Sequence, residues 1–217
     1  MRIPLTEYGR REILIGALFF GVLAVLGFLL YPPLMAVPAI LYVGILAFFR
    51  DPNRSGSTDA GDLLSPADGT VADIEEVEPP VFLEGPVLRV GVFMSVFNVH
   101  VNRMPCSGEV RCVEHHPGAH HDARSGECQM ENEHNFVGIE TPEDKSILLN
   151  QIAGMVARRI VCDVRSGEKV TRGQRFGMVK FGSRLELYVP LSDNPEPRVK
   201  VGDKVKAGHD VLVHCEQ

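Results

Sequence analysis

The chain of 217 residues has no tryptophan and no Cys-x-x-Cys spacing, and residues 13–49 contain no Asp, Glu, Lys or Arg. Each absence excludes something. Five cysteines (Cys106, Cys112, Cys128, Cys162 and Cys215), an odd number without a metal-type spacing, argue against a disulfide framework and for reduced thiols in a cytoplasmic domain. There is no basic surplus: 22 Lys+Arg against 28 Asp+Glu give a formal net charge of -6, which argues against a nucleic-acid binder. Hydrophobic content of 45% and charged content of 23% exclude a disordered chain. The mean hydropathy of +0.04 averages two unlike parts, because nearly all the charge lies outside residues 13–49.

What fills the uncharged stretch is apolar. Residues 13–30 read ILIGALFFGVLAVLGFLL and residues 34–49 read LMAVPAILYVGILAFF, separated by Tyr31-Pro32-Pro33. Two adjacent prolines cannot continue a helix, so a helical hairpin over residues 1–50 is expected. At about 1.5 Å per residue the arms reach about 27 and 24 Å, against a bilayer core of about 30 Å. A thin two-span hairpin and one that dips into a single leaflet both fit. Arg10 and Arg11 precede the first run, and Arg50 and Arg54 follow the second, so both ends are expected on the cytoplasmic side of the cell membrane. A cleaved signal peptide fits poorly, because the stretch is too long and no small-residue site follows Phe49. A buried hairpin of a soluble core is the remaining alternative.

From Asp51 to Gln217 short Val-rich runs alternate with Gly, Pro, Asn and Asp turns, which predicts a mainly β domain. Strands are expected at Thr70–Ile74, Val87–Phe93 and Leu185–Val189. In residues 145–159, Ile147, Leu148, Ile152 and Val156 recur at near-helical spacing and suggest a helix. Gly154 interrupts that run and keeps a strand open. Val164-x-x-Gly167-x-x-Val170-x-x-Gly173 recurs 35 residues later as Val199-x-x-Gly202-x-x-Val205-x-x-Gly208. Each copy reads as a turn whose glycines take positive φ. The pair resembles the hammerhead turns of biotinyl and lipoyl barrel-sandwich domains and suggests a pseudo-symmetric small barrel.

Four segments carry groups that can do chemistry. Phe181-Gly182-Ser183 lies between two strand-like runs. Its serine hydroxyl is placed for an N-to-O acyl shift on the Gly182 carbonyl, although Gly-Ser is also an ordinary turn. Asp68 sits in the Ser65-Pro66-Ala67-Asp68-Gly69 turn, a position as common in plain Asp-Gly turns. His100, Asn102 and Arg103 lie in Asn98-Val99-His100-Val101-Asn102-Arg103-Met104-Pro105, where a lone histidine is more often structural. Glu131-Asn132-Glu133-His134-Asn135 forms a polar knot before another strand.

With Phe48-Phe49-Arg50-Asp51-Pro52, the order and spacing of these segments resemble the phosphatidylserine decarboxylase family in its short, membrane-anchored branch, over nearly the whole chain. The resemblance implies a self-processing proenzyme and carboxy-lyase. Cleavage would fall between Gly182 and Ser183, giving a β chain of residues 1–182 and an α chain of 183–217. Ser183 would become a covalent pyruvoyl group, the source of pyruvate as cofactor. Phosphatidylserine would be decarboxylated to phosphatidylethanolamine through a Schiff base. Asp68 matches the charge-relay acid. His100 would be the proton donor to the carbanion, and Arg103 and Asn102 are substrate-binding candidates. Arg103 replaces a second histidine present in the long branch. Either His100 serves both processing and turnover, or another group activates Ser183. The expected partners are the lipid, the two chains of one proenzyme and further copies of itself, with no nucleic acid.

An archaetidylserine decarboxylase would carry the same motifs. A non-enzymatic barrel-sandwich carrier or adaptor would need a modified lysine at a hairpin tip or long heptad helices. Lys180 lies in Val-Lys-Phe instead, and no heptad run exists. His115, His116, His120 and His121, with Glu127 beyond, form a Pro-Gly loop that could take a metal or touch lipid phosphate. Their spacing matches none of the usual zinc signatures, so no metal is assigned.

Overall fold

The structure is a computed structural model and describes residues 4–119, 121, 131–154, 159–180 and 182–216. The chain divides into two compact units, Met1–Asn53 and Arg54–Gln217.

The first unit is a helical hairpin of α1 (Arg10–Leu30) and α2 (Ala36–Phe48). Tyr31 leaves the first helix in an extended conformation, and Pro32 and Pro33 open a single 3-10 turn, Pro32–Met35. Pro38 is tolerated because it lies in the first turn of α2, where the lost N–H has no partner to lose. Gly16 lets the arms approach: a Cβ there would lie 3.3 Å from the Ile45 side chain. The base is tied by Thr6 N–H donating to Phe49 O at 2.9 Å and Asp51 N–H to Pro4 O at 2.6 Å. Both arms are apolar all round. Leu18, Leu30 and Ile40 are 73%, 82% and 69% exposed, an apolar surface of the kind that marks a membrane or protein contact. Glu7–Leu30 is long and apolar enough to cross a membrane, whereas Pro32–Phe48 is shorter.

The second unit is mainly β. Its strands are β1 (Asp62–Leu64), β2 (Gly69–Val77), β3 (Val87–Met94), β4 (Val101–Arg103), β5 (Gly108–His116), β6 (His134–Glu140) and β7 (Ser146–Ile152), followed by β8 (Ile160–Cys162), β9 (Lys169–Val170), β10 (Arg175–Val179), β11 (Ser183–Pro190), β12 (Pro195–Pro197), β13 (Lys204–Val205) and β14 (Val211–Cys215). Eight form one curled half-barrel sheet in the order β13-β2-β3-β11-β7-β6-β5-β9. Two three-stranded sheets, β1-β14-β12 and β4-β10-β8, complete the unit.

These orders are palindromic. Exchanging β13 with β9, β2 with β5, β3 with β6 and β11 with β7 maps the large sheet on itself and exchanges the two small ones. The registers agree residue by residue. Asp62 pairs with His214 as Val101 pairs with Met178, and β2 and β5 carry bulges at Val71/Asp73 and Val110/Cys112. The 35-residue repeat is one part of this duplication. Gly167, Gly173, Gly202 and Gly208 have φ of 86°, 76°, 96° and 65°, as the glycine spacing predicts. Gly173 N–H bonds Met104 O while Gly208 N–H bonds Ser65 O, so the two turns dock at equivalent carbonyls.

The inner face of the large sheet carries the main core, including Val71, Val90, Val92, Leu149, Leu185 and Leu187. A second cluster on the outer face joins Val87, Phe136, Leu148 and Tyr188 under Leu83. This two-sided burial corrects the helical reading of residues 145–159. Ser146–Ile152 is a strand paired on both edges. Its apolar residues run consecutively because Leu148 and Leu149 face opposite clusters, which masks the period of two. Residues 155–158 of that expected helix lie outside the described residues.

Leu187 is fully buried in the central strand. Leu187→Ala is expected to cost about 2–5 kcal/mol in urea unfolding, the range for a truncated core leucine. A loss under about 1 kcal/mol would remove Leu187 from the core.

Candidate active site

Ser183 opens β11 and is fully buried. It is reached through Gly182, whose φ of 61° is left-handed, while nothing lies within 4 Å of where its Cβ would be. The backbone conformation there favours glycine, and nothing crowds the position. Phe181 lies outside the described residues. Ser183 Oγ donates to Val179 O at 3.3 Å and lies 3.9 Å from Met94 Sδ. From Ser183 onward the chain is locked: β11 pairs with β3 over Ser183–Pro190 and with β7 over Arg184–Tyr188.

Asn102 joins the serine through the same sulfur, its Nδ2 lying 3.8 Å from Met94 Sδ. Asn102 Oδ1 accepts from Gln151 Nε2 at 2.9 Å, and Gln151 Oε1 accepts from Asn135 Nδ2 at 3.1 Å. The three amides are all but fully buried on the inner face. They form a polar string through an otherwise apolar core, leading away from Ser183.

Asp68 and the His100–Arg103 segment are brought side by side by Arg103 N–H donating to Pro66 O at 3.0 Å. The Asp68 carboxylate is held at both oxygens: Oδ1 accepts from Ala207 N–H and Oδ2 from the Arg54 guanidinium, each at 2.8 Å. Gly69 is fixed by close approach, since a Cβ there would stand 2.2 Å from Phe93 O. Asp68 therefore enters β2 against the strand that ends at Met94, the partner of Ser183. His100 is fully buried, with Nδ1 3.0 Å from Asn98 O. Arg103 donates to Gly173 O at 3.0 Å and passes beside Gly208, so its side chain runs between the two repeat turns.

Directly after Ser183, on the outer face, lies a buried ionic cluster. Arg184 donates to Asp73 Oδ1 at 2.7 Å and Glu186 Oε1 at 2.8 Å, and Tyr188 Oη donates to Glu186 Oε2 at 2.5 Å. Arg89 adds an ion pair to Glu75 at 2.5 Å. Burial opposes the Arg184 charge, but Glu186 and Asp73 outweigh it and raise its pKa. Burial and the neighbouring Glu186 push the Tyr188 phenol far up, so it stays a donor.

Several sequence expectations are relocated. His115 and His116 end strand β5 rather than lying in a loop. His116 stacks on His134 at 4.9 Å, and burial lowers the pKa of His134. His115 Nε2 is 3.1 Å from Glu133, and His121 Nε2 is 3.6 Å from Glu131. His120 and Glu127 lie outside the described residues. No group of three metal-ligating side chains converges among the described residues. Lys180 is only 7% exposed, which does not suit a carrier lysine. Burial raises the thiols of Cys106, Cys112 and Cys215 to about 12, 11 and 11. Cys128 lies outside the described residues.

Sequence reasoning missed Gln151, Met94, the clamp by Arg54 and the Arg184–Glu186 cluster, and it named Asn135 only as part of a polar knot. The amides left one trace, a polar Asn150-Gln151 pair within an apolar run. Gln151→Leu leaves the buried Asn102 Oδ1 without its partner, while Asn135 keeps its hydrogen bond to Cys162. It is expected to cost about 1–3 kcal/mol in urea unfolding, the range for one stranded buried group. An unchanged midpoint would show that the string carries no stability.

The sequence model of the phosphatidylserine decarboxylase family matches residues 43–213. The phosphatidylserine decarboxylase proenzyme of Cereibacter sphaeroides is 42% identical over 212 residues, covering 96% of this chain and 89% of the relative. Proenzymes of the same name from Paraburkholderia phymatum and Ralstonia pickettii are 43% and 41% identical, over 173 and 177 residues, covering 80% and 82% of this chain and 80% and 81% of theirs. The match runs through the Asp68 turn, the His100–Arg103 strand and the Gly182-Ser183 junction alike, and the chain belongs to the phosphatidylserine decarboxylase family.

Proposed function

We propose that this chain is a phosphatidylserine decarboxylase proenzyme that cuts itself between Gly182 and Ser183 and acts on lipid at a membrane surface. The observation that carries this reading is the junction itself: a left-handed glycine followed by a buried serine at the first position of a strand paired on both edges. In the cut, Ser183 Oγ attacks the Gly182 carbonyl carbon. The C–O bond forms as the C–N bond breaks, and the hydroxyl proton ends on the Ser183 nitrogen; loss of the Ser183 α-proton then expels the Gly182 carboxylate and separates the chains, and water replaces the nitrogen of the dehydroalanine left at 183, releasing ammonia and leaving the pyruvoyl carbonyl. The chain downstream stays put, because residues 183–217 supply β11, β13 and β14, each hydrogen-bonded to strands upstream of the cut.

The residues present fit a pyruvoyl group made from Ser183, since the position is buried and anchored on its C-terminal side. A pyruvoyl carbonyl supplies the electron sink that decarboxylation of an amino acid requires. Around it, His100 delivers a proton to the carbon that loses CO₂. Asp68, oriented by Arg54 and Ala207, orients the base that activates Ser183. Asn102 and Arg103 hold the polar head of the lipid. Residues 1–50 form the anchor and 51–217 the catalytic domain. The arginines flanking the hairpin favour a cytoplasmic catalytic domain.

Denaturing gels and intact mass test the cut. The purified protein is expected as pieces of about 20 and 4 kDa by length proportion. Ser183→Ala is expected to stay one inactive chain of 23.9 kDa. Hydroxylamine is expected to inactivate the mature enzyme. His100→Ala should cut CO₂ release by roughly 10²- to 10⁴-fold, while Asp68→Ala should mainly slow cleavage. A single intact chain with full activity would end this reading.

Removing residues 1–49 tests the anchor. The shortened protein is expected to fold and cut itself, and to lose activity on bilayer lipid far more than on short-chain soluble phosphatidylserine. Equal losses on both would make the hairpin part of the catalytic fold.

A further inference from the structure

The duplication gives the Ser183 junction a counterpart, and the strand registers say which residues occupy it. Thr70 pairs with Phe93 as Glu109 pairs with Glu140, so Phe93 and Glu140 are equivalent. Phe93 pairs with Arg184 and Glu140 with Ser146, so Arg184 and Ser146 are equivalent. Stepping back one residue sets Lys145 at the place of Ser183, and two sets Asp144 at the place of Gly182. The backbone agrees: Asp144 has φ 58° and Gly182 φ 61°, the same left-handed kink before the same strand position. By the same mapping Ser107 stands for Asp68, Gly61 for His100 and Arg172 for Ala207. Two hydrogen bonds repeat with it: Ala207 N–H donates to Asp68 Oδ1 at 2.8 Å, and Arg172 N–H donates to Ser107 Oγ at 3.0 Å.

This second junction opens on a cavity of about 780 Å³. Lys145, Arg172, Ser107 and Thr58 contribute polar groups to its lining, and Leu63 and Ile147 apolar ones. The size is in the range of small-molecule sites, about 300–1,000 Å³. Serine, histidine and aspartate of the catalytic half have become lysine, glycine and serine, so the reactive set is gone. Lysine and arginine have been gained. Among the described residues their side chains hydrogen-bond only carbonyl oxygens. Lys145 Nζ donates to Glu216 O at 2.6 Å, and the Arg172 guanidinium donates to the carbonyls of Ser57, Asp59 and Ala60. Carbonyls orient the two cations, and although Asp62 lies near Arg172 and Asp193 near Lys145, neither carboxylate hydrogen-bonds them, so the lining keeps two fixed cations beside an apolar wall. Glu143 adds a carboxylate to the lining.

Resting on the lipid-active reading above, we infer that this cavity is a non-catalytic lipid site that holds the phosphate of a zwitterionic phospholipid head group. Arg172 and Lys145 take the phosphate, Glu143 the ammonium, and Leu63 and Ile147 the first carbons of the tails. The pocket binds without turnover, because lysine at the junction offers no hydroxyl for self-cleavage.

The absence of tryptophan makes the test direct. Thr58 lies exposed among the lining residues, so Thr58→Trp in the full chain gives a single emitter at the site. The measurement is made on the Ser183→Ala proenzyme in dodecyl maltoside micelles, which supply no competing phospholipid, so that its outcome does not depend on cleavage or decarboxylation. Dihexanoyl phosphatidylethanolamine is expected to shift the emission saturably, and adding Lys145→Met to weaken binding by roughly tenfold, the loss of one charge-assisted contact. Glycerophosphoethanolamine is expected to bind more weakly than the dihexanoyl lipid. Equal affinity for inorganic phosphate would assign the cavity to free phosphate and overturn the lipid assignment. No saturable response, or one that Lys145→Met leaves unchanged, would overturn the site. Pro142→Trp, at another exposed lining position, repeats the titration should Thr58→Trp fail to fold.

Discussion

β11 hydrogen-bonds along one edge to β3 from Ser183 to Pro190 and along the other to β7 from Arg184 to Tyr188. The candidate cut therefore falls at the point where a free, left-handed turn becomes a strand held on both sides. A bond broken one residue later would remove a ladder partner, and one broken several residues earlier would leave a tail. Placed at residue 182, the cut creates a chain end whose first residue is already paired with Met94 and whose side chain already faces the core. The new terminus needs no refolding. The 35-residue fragment it begins cannot leave without opening the centre of the sheet, which costs more than the covalent bond's loss of chain connectivity gives back.

The outer face of the same strand explains how such a junction stays ordered. Arg184 is the second residue after the candidate cut, and it is clamped by Asp73 from β2 and Glu186 from β11 itself. Buried ion pairs stabilise little in net terms, because desolvation offsets the attraction. What they give is geometry, since an arginine fork satisfied at two carboxylates has few alternative positions. Gly91 makes room for it: a Cβ there would lie 2.1 Å from the Arg184 guanidinium. The cluster thus ties β2, β3 and β11 together beneath Ser183, while Met94 and Val179 define its upper side.

How much of this was legible in the sequence follows from which constraints leave local marks. Positive-φ turns do, and the glycines of the 35-residue repeat announced themselves at both copies. An uncharged stretch broken by two prolines does too, and gave the hairpin. The Gly182-Ser183 junction was readable only together with the Asp68 and His100 segments, since each alone is an ordinary turn. The strand at Ser146–Ile152 was obscured because burial on both faces erases alternation. Arg184 and Glu186 were hidden for the opposite reason, since alternate charged residues on a strand look like a solvated face. The second half of the duplication, Pro66-Ala67-Asp68-Gly69 against Pro105-Cys106-Ser107-Gly108, shares too few residues to be seen before the registers align it.

The duplication also separates what the fold requires from what the chemistry requires. Both halves keep the left-handed residue before the strand, the proline and glycine flanking the acidic or hydroxylic position, and the N–H that bonds it. These features recur with different side chains, so they belong to the architecture. The catalytic half alone has glycine at the kink, serine after it, histidine at 100 and an arginine on Asp68. Glycine is not needed there for the φ value, since Asp144 adopts nearly the same one. In the reading proposed above, glycine leaves the carbonyl that Ser183 Oγ would attack without a neighbouring side chain. The same comparison explains why the other half, with an aspartate at its kink and an amine after it, keeps a pocket but not the cut.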